Sequence, residues 1–139
     1  MSSEENAVGS SAYLCILLGE HGHQELACEL KGAELVSSVL LVLEAGRNLV
    51  RLSRERVLTP AELDSALRRL QADCELFILR ELTFDLCTAR TMPLVTTPRS
   101  LDLGHLCTAL WFHEHLPLHR FVTLDSNQMQ AARELGLPS

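Results

Sequence analysis

The chain has 139 residues, 47% of them apolar, and a formal charge of −6 at pH 7. A single domain of this size buries a core without disulfides or structural metals. The acidic balance argues against broad electrostatic capture of nucleic acid, and no apolar run reaches the roughly 18 residues of a membrane-spanning helix.

The N-terminus, MSSEENAVGSS, is polar and expected to fray over residues 1–5; it lacks the apolar stretch of a signal peptide, so a cytoplasmic location is expected. A short strand is predicted over residues 6–9, followed by a helix capped by Ser10 or Ser11 and running to Gly19. A second helix, HQELACELKG, closes at Gly32. Residues 33–38 read as the second strand, with Ser37 or Ser38 capping a long helix to about residue 52. Thr59-Pro60 opens the next helix with a capping box to Glu62, predicted to run to about residue 72. The apolar run CELFILREL places a third strand over 75–80. Thr83 caps a short helix, and residues 93–100 form a proline-containing loop. A helix then carries Asp102 in its first turn. The last strand, over 121–124, ends on Asp125, which caps the final helix to Gly136. Four strands separated by helices predict a three-layer α/β/α sandwich around a mainly parallel sheet, in one domain over 1–139.

Five scattered cysteines with no C-x-x-C pair read as reduced core thiols. Eleven of the twelve Lys and Arg residues are Arg. Arg47, Arg51, Arg54, Arg56, Arg68 and Arg69 fall close together, either as phosphate contacts or as a solvated helical face. The few aromatic residues do not interleave with them, which leaves base stacking without support.

In a parallel sheet, residues at strand C-termini and the starts of the following helices gather along one edge. Asp102 and Asp125 are expected to meet there. Each also has a local explanation, since acids at helix N-termini are favoured by the macrodipole and by capping. Glu44 follows a wholly apolar run, 39–43, and is the third candidate; a pair with Arg47 or Asn48 one turn on is its simpler reading. Carboxylates sharing one cleft repel unless a cation neutralises them, and oxygen donors of this kind suit Mg²⁺ or Mn²⁺. His105 lies one turn after Asp102 and is expected to pack near the core on a backbone partner.

The segments RSLDLGHLCTAL and FVTLDSNQMQAARELGL resemble the C-terminal half of a PIN domain, the metal-dependent nuclease fold of VapC-type toxins and RNA-processing factors. The matching positions are Asp102, His105, Thr108, Ala109, Thr123, Asp125, Ala132 and Gly136. Ser38 and Glu44 match a further Ser/Thr-and-Glu pair six residues apart. The resemblance implies a PIN-like fold in which Glu44, Asp102 and Asp125 hold Mg²⁺ or Mn²⁺. Ser11, Thr123 and His105 then support the site. It also implies RNA as substrate, a small antitoxin protein as partner and a homodimer. Tyr13, Leu14, Leu17, Leu18, Leu63, Leu67 and Leu70 are expected to supply the apolar dimer surface. The departure comes early. The family's first strand ends D-x-S-A, whereas this chain has Gly9-Ser10-Ser11-Ala12, with Gly9 in the place of a principal metal ligand. Two functions follow from that departure: a VapC-like Mg-dependent ribonuclease weakened by the missing acid, or a non-catalytic PIN-fold module that binds RNA or protein. A flavodoxin-like signalling domain ranks below both, because it lacks an early acidic pair and a C-terminal Lys.

Overall fold

The computed structural model describes residues 4–88, 95 and 99–139. Its elements run β1 (Glu5–Val8), α1 (Ser10–Leu18), α2 (His23–Leu30), β2 (Glu34–Ser38), α3 (Leu40–Arg54), α4 (Pro60–Leu76), β3 (Ile78–Arg80), α5 (Phe84–Thr88), α6 (Ser100–His115), β4 (Arg120–Val122) and α7 (Ser126–Glu134). The strands form one sheet in the order β3-β2-β1-β4, every pairing parallel. Of the loop predicted over 93–100, residues 93, 94 and 96–98 lie outside the described residues, and Ser100 already opens α6.

Alternation along the strands divides the core in two. Ala7, Val36 and Phe121 stand side by side in register and point to the face covered by α6 and α7, where Leu106, Ala109, Phe112, Ala131 and Ala132 complete one cluster. Val8 and Val122, the next residues along, are again neighbours. They point to the opposite face, into a cluster built from α1 to α4 with Ala12, Tyr13, Leu41, Leu49 and Leu70. The period of two in a strand produces this division.

Several boundaries differ from the sequence expectation. Residues 75 and 76 belong to α4, not to the third strand. Residues 61–76 contain no glycine, proline or β-branched residue, so straight-chain helix formers carry the helix on past 72, and the Tyr13 hydroxyl anchors its last turns by donating to Asp73 at 2.7 Å. The start of α4 is as predicted, with the reciprocal Thr59–Glu62 capping box and Pro60 in the first turn. Glu5 is not frayed: it opens β1 in register with Glu34. The cap of α1 is Gly9, with no side-chain hydrogen bond; the hydroxyls of Ser10 and Ser11 are engaged elsewhere. Gly19 closes α1 in the left-handed region at φ 65°, where a side chain is strained. Ser38 Oγ does accept the Leu40 N–H at the start of α3, at 3.1 Å.

Of the cysteines, Cys15 is buried while Cys28 and Cys87 are exposed, against the core-thiol expectation. The arginine group is exposed on α3 and α4, with Arg56 in the turn between them, and Arg51, Arg68 and Arg69 pair with acids one turn away. Of the seven residues expected to form a dimer surface, Tyr13 and Leu70 are buried and Leu14, Leu17, Leu18 and Leu63 pack against the first cluster. Leu67 is 37% exposed. No helix among the described residues is long and apolar enough to cross a membrane.

Candidate functional site

The chain adds β2 and β3 on one side of β1, then β4 on the other. The C-terminal ends of β1 and β4 therefore flank the point where strand order reverses, the place where open α/β sheets form a crevice. A cavity of about 220 Å³ lies there, lined by Ser10, Ser11, Glu44, Asp102, His105 and Asp125 together with Leu14, Asn48, Arg99 and Gln128. All three sequence-predicted acids line it, each from its own helix terminus or first turns: Glu44 from α3, Asp102 from α6 and Asp125 as the cap of α7.

Two hydrogen-bond networks occupy the cleft. In the first, Ser10 Oγ donates to Glu44 Oε1 at 2.9 Å. His105 Nε2 approaches the same carboxylate oxygen at 2.5 Å and Ser10 Oγ at 3.1 Å. His105 is 4% exposed, the Glu44 side chain 17%. Burial pushes the Glu44 carboxyl up, but the His105 hydrogen bond and charge, the Ser10 hydroxyl and Arg47 outweigh it and hold the group below the ordinary glutamate value. An ionised Glu44 accepts only, so Nε2 carries the proton and donates. His105 thus bonds to side chains from α1 and α3 and not, as expected, to a backbone group.

In the second network, Thr123 Oγ1 donates to Gln128 Oε1 at 2.7 Å and accepts from the Asp125 N–H at 3.2 Å. Ser11 Oγ lies 3.1 Å from Thr123 Oγ1 and accepts the Leu124 N–H at 2.9 Å. Asp125 Oδ1 caps α7 by accepting the N–H groups of Asn127 and Gln128 at 2.9 and 3.2 Å.

Gly9 stands between the networks. Its backbone, φ −84° and ψ 164°, is open to any residue, so local conformation does not demand glycine. Space does. A Cβ at this position would lie 3.1 Å from Gln128 Oε1 and 3.6 Å from Thr123 Cβ and Oγ1. Gln128 is 3% exposed, and its Oε1 has to give by a few tenths of an ångström to admit that Cβ.

The donors as arranged do not fit a divalent cation. One Glu44 oxygen accepts two internal hydrogen bonds, one Asp125 oxygen holds a helix N-terminus, and Gly9 offers no side chain. Among the described residues, no three His, Cys, Asp or Glu side chains group closely enough to hold a metal ion. Sequence reasoning missed Ser10, Asn48, Arg99 and Gln128. Gln128 had a signal: it stands three residues after the Asp125 cap, the position of the Gln in a capping box, yet its side chain turns inward to Thr123. No protein-family profile matches the chain, and no curated protein matches it.

Proposed function

We propose that the chain is a PIN-like module that binds a protein partner without metal-dependent hydrolysis. One observation carries the reading: the Glu44 carboxylate, which the family resemblance makes a metal ligand, is held from within by His105 and Ser10. A protonated imidazole nitrogen here supplies internally the positive potential that a cation would supply, and no loaded metal is needed to relieve the burial of Glu44. The cleft keeps three carboxylates against one arginine, Arg99, on a chain of charge −6. That balance repels RNA phosphate and favours a basic protein segment.

The test combines a cleavage assay with a binding assay. The purified protein is incubated with mixed-sequence single-stranded RNA and Mn²⁺, then titrated against a fluorescein-labelled Arg-rich decapeptide. The expected outcome is no RNA cleavage and no Mn²⁺-dependent rise in melting temperature. Peptide binding should fall with salt and weaken in Asp102→Asn, but not in the control Glu25→Gln, which lies on α2. RNA cleavage that needs Mn²⁺ and disappears in Glu44→Gln would overturn the proposal in favour of the ribonuclease.

A further inference from the structure

A second cavity, of about 350 Å³, opens on the face covered by α1, α2 and α4 and shares no lining residue with the acidic cleft. Its floor is apolar. Val8, Ile16, Leu30 and Leu35 contribute aliphatic surface, and Tyr13 and Phe77 meet edge to face with centroids 5.7 Å apart, a rigid aromatic base. Its mouth is polar and cationic. Lys31, the only lysine of the chain, stands just past the end of α2, and Arg69 projects from α4. The single carboxylate in the lining, Asp73, is already satisfied: Oδ2 accepts the Tyr13 hydroxyl at 2.7 Å and lies 3.5 Å from Arg69 Nε. Burial, then the hydrogen bond to Asp73, pushes the Tyr13 phenol up, so it stays a neutral donor to Asp73.

We infer that this cavity is a binding site for an amphipathic monocarboxylate, its alkyl or aryl body on the Tyr13–Phe77 floor and its carboxylate between Lys31 and Arg69. Small-molecule sites combine a mainly apolar concavity with a few convergent polar groups, and this one offers two cations, one just past the end of α2 and one on α4. Arg pairs with carboxylate through its planar fork, while Lys adds a compact charge. An apolar concavity left unfilled forfeits dispersion contacts along its lining, which an apolar tail restores. A cationic amphiphile would face Lys31 and Arg69 and be rejected, and a neutral one would gain only the apolar part.

Cys28 makes the test direct, because it is exposed and also lines the cavity. The full-length protein is labelled with a maleimide in the presence of sodium decanoate, decanol or decyltrimethylammonium, and modification of Cys28 is followed by mass spectrometry with exposed Cys87 as the internal control. Decanoate should protect Cys28 at sub-millimolar concentration, decanol less and the ammonium compound not at all. Lys31→Gln and Arg69→Gln should each weaken decanoate by about 2–5-fold, as expected for partly exposed ion pairs, and leave decanol unchanged. Ala27→Trp, at an exposed position that lines the cavity, should abolish protection with circular dichroism unchanged. Three results would overturn the inference: no protection at millimolar decanoate, equal protection by decanol, or a Cys28 that is unreactive without ligand and becomes reactive on dilution, which marks a second copy of the chain as the occupant.

Discussion

The two ends of the sheet treat their carboxylates in opposite ways. At the C-terminal edge, Glu44 is half-buried yet held below its ordinary value, because His105, Ser10 and Arg47 oppose the cost of burial. At the N-terminal edge, Glu5 and Glu34 stand side by side in register on β1 and β2, and the Glu5 carboxyl is raised, first by burial and then by the charge of Glu34. The difference lies in what surrounds each acid. One meets donors brought from two elements distant in sequence and a charge from its own helix; the other meets a like charge on the adjacent strand. An acid at the edge of a parallel sheet thus becomes an asset or a liability according to its tertiary neighbours.

The largest effect should come from removing the donor that distinguishes the two ends. His105→Leu leaves Glu44 partly buried without its main partner. Loss of one member of a buried pair costs about 3–5 kcal/mol, and the residual exposure of Glu44 reduces this to about 2–3 kcal/mol. Urea unfolding at pH 7 measures it. The double variant Glu44→Leu/His105→Leu should recover at least half of the loss, since two apolar groups restore a satisfied interior. Equal destabilisation in both variants would mean that His105 acts by packing alone.

Gly9→Asp adds a carboxylate to the C-terminal edge and so makes it resemble the N-terminal one. The new side chain meets Gln128 Oε1 at Cβ distance 3.1 Å, and overpacking of this kind costs about 1–3 kcal/mol. Mn²⁺ should not rescue the single variant. Gly9→Asp/Gln128→Ser clears the space, and its melting temperature should rise with Mn²⁺ by linkage. Rescue of the single variant by Mn²⁺ would show that Gln128 yields easily.

A smaller loss, about 1 kcal/mol, is expected for Asp125→Ala, which removes a cap from α7 and leaves the Glu44–His105–Ser10 network intact. Thermal melts at pH 7 and constant ionic strength should show this loss.

These contrasts bear on what the sequence alone could convey. The strand and helix order, the parallel sheet, the Thr59–Glu62 box and the Asp125 cap were legible, because each rests on local periodicity or on a motif within four residues. The shared edge of Glu44, Asp102 and Asp125 followed from topology. The partners of Glu44 were not legible. Ser10 and His105 lie 34 and 61 residues from it, and nothing in a serine pair at a strand end separates a helix cap from a tertiary donor. The start of β3 was misplaced for a related reason: an apolar run of strand length is ambiguous at its edges, and the propensity of the helix before it decided the boundary.

The smallest effect tests the N-terminal edge directly. Glu34→Gln removes a like charge directly across from Glu5, a change worth about 0.2–1 kcal/mol. Glu34 is exposed and the pair is screened by salt, so a value near the lower limit is expected at physiological ionic strength. The sign follows from linkage. Glu5 has a folded pKa above the ordinary value of 4.5, so its contribution favours folding below that pH and is lost as pH rises through the folded value. Glu44 has a folded pKa below 4.5, so its contribution is complete above 4.5 and is lost as pH falls through the folded value. Stabilisation by Glu34→Gln should therefore be present at pH 7 and fade as pH falls through the raised Glu5 value, where Glu5 binds a proton and the like-charge repulsion ends. Destabilisation by Glu44→Gln should run the same way for the opposite reason, because below its folded value the wild-type Glu44 is itself neutral. Urea melts of the two variants and the wild type from pH 3 to pH 8 would show stability differences of opposite sign at pH 7 converging in acid. Same-sign differences at pH 7 would mean that the two carboxylates do not differ in the way their neighbours indicate.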